Sequence, residues 1–205
     1  NRGTEILLGD KSHTFYYEAG GISAFGGIHS RQLKNQPDGT INANDIQSAI
    51  RVDNVHFPKT SAITLENTHN LCNGSPLSPD YIQDVAHIAQ NNDMKLHIDG
   101  ARIFNAAIAL NVAVKDLVIE ADSVTFCLSK GLSAPVGSVI CGSEKFIYHA
   151  RRNRKALGGG MRQAGIIAAA GIVSLDKMMD QISEDHINAQ LLVEGIINIE
   201  GLSVD

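Results

Sequence analysis

Leu96-His97-Ile98-Asp99-Gly100-Ala101-Arg102 is a run of β-formers that ends by delivering charged side chains into a glycine turn. Period-2 alternation places His97 and Asp99 on one face of a strand and Leu96 and Ile98 on the other. A second stretch, Phe126-Cys127-Leu128-Ser129-Lys130-Gly131-Leu132, repeats the plan with a lysine at the turn. Upstream of the first, Ser61-Ala62-Ile63-Thr64-Leu65-Glu66 reads as a buried strand, and Ser78-Pro79 opens a helix with serine at its cap and proline in its first turn. Ile82, Val85, Ala86 and Ala89 form the apolar stripe of that helix, which Asn91-Asn92-Asp93 ends. Strand, helix and strand in this order make a βαβ unit, and hence an α/β fold with a mainly parallel sheet and flanking helices.

The ends of parallel strands are where such sheets place their chemistry. A carboxylate at Asp99 suits a cationic ring nitrogen, and a half-buried amine at Lys130 is available to an aldehyde. These are the two protein groups that pyridoxal 5'-phosphate (PLP) most needs. Neither is specific alone, because an Asp-Gly pair commonly closes a turn and a lysine after a strand is commonly solvated. Their weight comes from occurring together.

Outward from this centre, Glu5 to Gly9 reads as a first strand, and Asp10-Lys11-Ser12-His13 leads into Thr14 to Glu18 before Gly20-Gly21 breaks the run. His13, at a strand-to-helix loop, is placed to lie flat on a planar cofactor. Gly26 to Arg31 reads as a short strand, Gln36-Pro37-Asp38-Gly39 as a turn, and Asn44 as the cap of a helix through Ile50. The strand ending at Glu66 delivers Asn67-Thr68-His69-Asn70 to the same kind of strand end as Asp99 and Lys130, where His69 can reach a ligand. A helix follows from Phe104 to Leu110, then strands at Ser123 to Leu128 and Ser138 to Gly142. Glu144 to Leu157 is a basic helix carrying Arg151, Arg152, Arg154 and Lys155, either a solvated face or a lining for an anion. Gly158-Gly159-Gly160 precedes Met161-Arg162-Gln163, which opens a helix to Leu175, and Lys177 to Ile197 is amphipathic. The glycine run matches neither nucleotide fingerprint. Gly201 to Asp205 starts an element that the chain does not finish.

The 205 residues suffice for one sizeable domain, and the 43% hydrophobic content predicts a buried core. Seventeen Lys and Arg against 22 Asp and Glu, a formal charge of -5, argue against nucleic acid or an anionic membrane as partner, which leaves a small molecule. Three cysteines without C-x-x-C spacing fit neither a disulfide framework nor a metal site, so no metal and a reducing compartment are expected, with Cys127 and Cys141 as small core residues. No stretch has the length of a membrane span. The opening at Asn1, running at once into a strand, suggests a chain cut from something longer.

In order and spacing, Gly9 to His13, Leu65 to Asn70, His97 to Ala106, Cys127 to Leu132 and Leu157 to Gln163 together resemble the low-specificity L-threonine aldolases, which are fold-type-I PLP enzymes. The resemblance implies an aspartate-aminotransferase-like large domain over residues 1–198, incomplete at its N-terminal side, with 199–205 beginning a small domain. It implies that Lys130 carries the cofactor covalently, that Asp99 pairs with its ring nitrogen, that His13 stacks on the ring, and that Arg102 sits beside the phenolic oxygen or the substrate carboxylate. Ser129 and Arg162 become phosphate contacts, and His69 becomes the base near the substrate's β-hydroxyl. The implied activity is cleavage of L-threonine or L-allo-threonine to glycine and acetaldehyde by a cytoplasmic homo-oligomer, a dimer or tetramer. Family members also carry a phosphate-clasping loop before, and a carboxylate-binding domain after, the segment present here, so weak cofactor binding and poor catalysis are expected. Another fold-type-I lyase, an aminotransferase or an inert remnant are the alternatives.

Overall fold

The computed structural model describes residues 2–204. In chain order these form β1 (Glu5–Gly9), α1 (His13–Tyr16), α2 (Gly21–Ala24), β2 (His29–Leu33), α3 (Ala43–Ala49), β3 (Thr60–Glu66), α4 (Pro79–Asn91), β4 (Lys95–Asp99), α5 (Ile103–Leu110), β5 (Ser123–Cys127), β6 (Ser138–Gly142), α6 (Glu144–Ala156), α7 (Gly165–Lys177) and α8 (Met179–Ile196). A short 3-10 turn at Val114–Leu117 bridges α5 to β5.

The strands make one sheet in the order β2-β1-β3-β4-β5-β6. Every pairing is parallel except β5 with β6. From β1 the chain moves to β2 on one side, whereas from β3 it moves to β4 on the other. The carboxyl ends of β1 and β3 therefore open onto diverging connections, the crevice in which doubly wound sheets bind ligands.

Register separates the two faces of the sheet. Leu7, Ile63 and Leu96 lie side by side on β1, β3 and β4 and are all at most 1% exposed. With Leu65 and Ile98 they pack against Ile46 of α3, Ile82, Val85, Ala86 and Ala89 of α4, and Ile103 and Ala106 of α5. Each buried Ile or Val here contributes roughly 1.5–3 kcal/mol. The alternate residues build polar rows instead: Thr64, His97 and Ser123 in one, Glu66, Asp99 and Thr125 in the next. One face holds the fold and the other is free for chemistry.

Ser78 caps α4 by accepting the Tyr81 N–H. The cap of α3 is Asn42, not Asn44: its extended backbone lets the side chain accept the Asn44 N–H at 2.8 Å. The strand expected from Gly26 begins only at His29, because Gly27, at φ +61, ends the turn that closes α2. Likewise Gln163 at φ +51 lies outside α7, which starts at Gly165 rather than Met161. Cys141 is exposed and Cys127 half-buried; Cys72 is the cysteine in the core. Strand β6 is the sheet's edge, so an apolar run there does not become interior.

Of the last residues, 201–204 form turn and coil, and Asp205 lies outside the described residues. Helices α7 and α8 expose Ile166, Ile172, Val173, Leu191 and Leu192. No helix among the described residues is long and apolar enough to cross a membrane.

Candidate active site

The carboxyl ends of β1, β3, β4 and β5 carry, in spatial order, Asp10 to His13, Glu66 to Asn70, Asp99 to Arg102 and Ser129 to Gly131. Glu66 is 4% exposed. Its Oε2 accepts the backbone N–H of His13 at 2.7 Å and its Oε1 that of Asn70 at 2.9 Å. The first bond crosses the β1/β3 crevice; the second folds the loop carrying His69 back over the strand end.

His69 is 1% exposed, and both its ring nitrogens are buried without a hydrogen-bond partner among the described residues. Nε2 lies 3.9 Å from Glu66 Oε2. Burial pushes this imidazole below the usual histidine range; Glu66 opposes that, Lys11 reinforces it, and Asp10 and Asp99 oppose it more weakly. The outcome is a neutral ring at neutral pH. The main chain is pinned where the His69 N–H donates to the Ser75 carbonyl at 2.9 Å. Gly39, at φ +83, lies against the ring: a Cβ there would come within 2.7 Å of the His69 Cβ.

Asp99 stands beside Glu66 in register and is half-buried. Its Oδ2 accepts the Thr14 hydroxyl at 3.1 Å and its Oδ1 the Ala101 N–H at 3.3 Å. Among the described residues no cationic side chain pairs with this carboxylate. One turn of strand earlier, His97 Nδ1 meets Ser123 Oγ at 2.8 Å; burial lowers its pKa and Asp99 partly offsets this.

Lys130 follows β5, the neighbour of β4, in a loop tied by Ser133 N–H to the Lys130 carbonyl at 2.8 Å and Ala134 N–H to the Leu128 carbonyl at 2.9 Å. Leu128 and Leu132 anchor the loop in a second apolar cluster with Ile182 of α8. A Cβ at Gly131 would meet Asn105 Oδ1 at 2.8 Å, and Asn105 Nδ2 lies 3.1 Å from His186 Nε2, so α5 and α8 buttress the turn that presents the lysine. Lys130 is half-buried, with no acidic partner among the described residues.

His13 opens α1, its Nδ1 2.9 Å from Glu18 Oε1 and its ring 5.0 Å from that of Tyr17. Arg102 occupies the N-cap position of α5. Ser129 is exposed beside Lys130. Arg162 stands apart: it is exposed between α6 and α7, and no hydrogen bond or ion pair among the described residues links it to the cluster. Glu66 lies inside the Leu65 to Asn70 motif but, like Thr14, receives no role from the sequence, although a carboxylate ending an apolar run, as Asp99 does, is a signal.

The fold is that of the large domain of the aspartate aminotransferase type. The family described as Beta-eliminating lyase matches residues 1–205, and the chain belongs to it. It is 51% identical over 206 residues to the "Probable low-specificity L-threonine aldolase 2" of Arabidopsis thaliana, covering 100% of this chain and 58% of that protein. Among solved structures, a putative L-allo-threonine aldolase from Listeria monocytogenes superposes with TM-score 0.83 at 19% identity, covering 96% of this chain and 53% of that one. An aspartate aminotransferase from Thermus thermophilus gives 0.66 at 14% identity, over 96% and 51%. The chain thus spans little more than half the length of the proteins it matches.

The residues present fit PLP. Asp99 is an unpaired carboxylate already oriented by two hydrogen bonds, Lys130 an unpaired amine on the adjacent strand end, and His69 a buried ring with orphaned nitrogens close by. A planar cation-bearing ring with an aldehyde suits that donor set.

Proposed function

We propose that the protein containing this chain is a PLP-dependent carbon–carbon lyase that cleaves L-threonine or L-allo-threonine to glycine and acetaldehyde. The supporting observation is a neutral, buried imidazole at His69, without a hydrogen-bond partner among the described residues, held at the strand end next to that of Asp99. A general base must be unprotonated at working pH, and burial secures that. The threonine aldolase named among the relatives supports the same reading.

When bound, PLP supplies the sink for the electrons left on Cα. The chain's own residues do the rest. Lys130 Nζ would hold the cofactor covalently; Asp99, steadied by Thr14 and Ala101, would accept from its ring nitrogen; and His13 would lie against the ring. Arg102 would face the anionic oxygen or the carboxylate, Ser129 would take the phosphate together with an Arg162 supplied by a neighbouring subunit, since Arg162 stands apart from the cluster within one chain, and His69 would receive the β-hydroxyl proton directly or through water. Residues 1–198 serve as the cofactor-binding unit and 199–205 lead into a further domain. The apolar outer faces of α7 and α8 support assembly into a homo-oligomer, dimer or tetramer, and we place the enzyme in the cytoplasm.

Asp99 and Lys130 do not by themselves set the reaction, and the family's description favours one rival, β-elimination. Products separate the two. The purified full-length protein, given PLP and L-threonine, releases glycine and acetaldehyde if it is an aldolase, and 2-oxobutanoate and ammonia if it eliminates. Release of neither overturns both readings.

A further inference from the structure

Glu66 is a buried carboxylate with no lysine or arginine partner among the described residues. Burying a charge is costly unless hydrogen bonds or an opposite charge compensate. Two backbone N–H groups, of His13 and Asn70, supply part of that compensation. The remaining polar neighbour is the Nε2 edge of His69, 3.9 Å from Oε2, itself unbonded. At that distance there is no hydrogen bond, yet in a buried, weakly screened site a carboxylate still favours N–H over a lone pair facing it.

We propose that Glu66 is a positioning residue that holds neutral His69 as its Nε2–H tautomer, leaving Nδ1 as the atom that takes the substrate proton. Through its other contacts it fixes the backbone of His13, so one carboxylate sets two histidines on opposite sides of the β1/β3 crevice. The assignment rests on the reading of His69 as base and adds which nitrogen acts and what selects it. Other charged groups near His69 are Asp10 and Lys11 from the loop after β1, which largely oppose each other, and Asp99 from β4. Glu66 has the largest charge effect of the four.

The test is nitrogen NMR of the full-length protein labelled with 15N-histidine, with the His69 signals identified by His69→Gln. At pH 7.5 the wild type shows a protonated, pyrrole-like Nε2 and a pyridine-like Nδ1. Glu66→Gln removes the charge, the tautomer preference collapses toward a mixture, and the His69 titration moves to lower pH. Should Glu66→Gln fail to fold, Glu66→Asp withdraws the charge by one methylene and weakens the same preference. An Nδ1–H tautomer in the wild type, or a preference unmoved by either substitution, overturns the proposal. Absence of threonine cleavage would instead sink the functional reading, since the nitrogen shifts are read without substrate or cofactor.

Discussion

Thr14 and Asp99, 85 residues apart in sequence, are joined by a 3.1 Å hydrogen bond from Oγ1 to Oδ2. The hydroxyl comes from the first turn after β1 and the carboxylate from the end of β4, so the bond spans β3 and ties both sides of the crevice together. Thr14→Val keeps the shape and removes the donor. Bonds to charged groups are worth about 1.5–3 kcal/mol, and half-burial places this one near the lower end. Urea unfolding should show a loss of about 1–2 kcal/mol, and PLP should bind several-fold more weakly. Thr14→Ser should restore most of both.

His69 and His97 both have pKa values depressed chiefly by burial. The unfolded chain then binds more protons, so the stability they confer is complete above the ordinary histidine value of about 6.5. It is lost as pH falls through that value toward the lowered folded ones. Each histidine contributes a slope of at most about 1.4 kcal/mol per pH unit. Urea midpoints taken between pH 7.5 and 5.5 should fall, and His97→Gln should make that fall shallower. An equal slope in the variant would contradict the burial argument.

Gly39→Ala combines a left-handed φ of +83 with a Cβ only 2.7 Å from that of His69. Strain of this kind costs about 1–3 kcal/mol. The ring would have to move, so thermal unfolding should occur earlier and the His69 NMR signals should shift, while those of His149 on α6 should stay in place.

At the opposite end of β1, Glu5 is fully buried, with Arg51 Nε 3.0 and 3.1 Å from its two oxygens. This pair is structural. Arg51→Met removes the two short bonds and leaves the carboxylate only His29 at 3.5 Å, Arg31 at 3.9 Å and the Thr60 hydroxyl at 3.4 Å; loss of about 1.5–3 kcal/mol is expected by denaturant titration, with no effect on PLP affinity at temperatures where the chain remains folded.

Much of this was legible in residues alone. Alternation at Leu96 to Asp99, the Ser78-Pro79 helix start and the stripe at Ile82, Val85, Ala86 and Ala89 all correspond to the structure, because local backbone preference and burial agree there. Strand order was not legible. It is set by long-range pairing, and only once β1 lies beside β3 does Glu66 meet the His13 backbone, 53 residues away. Thr14 was hidden for the same reason: nothing local marks a hydroxyl whose partner is on another strand. The apolar run at β6 misled because an edge strand and a central one read alike when the neighbour is unknown.

We propose that Asp99 and Lys130 serve a single cofactor ring. Incubating the full-length protein with PLP, reducing with borohydride and mapping the modified lysine by peptide mass spectrometry decides whether they do. Stoichiometric labelling at Lys130 is expected, lost in Lys130→Ala and strongly reduced in Asp99→Asn. Label spread over surface lysines, or undiminished in Lys130→Ala, would contradict it.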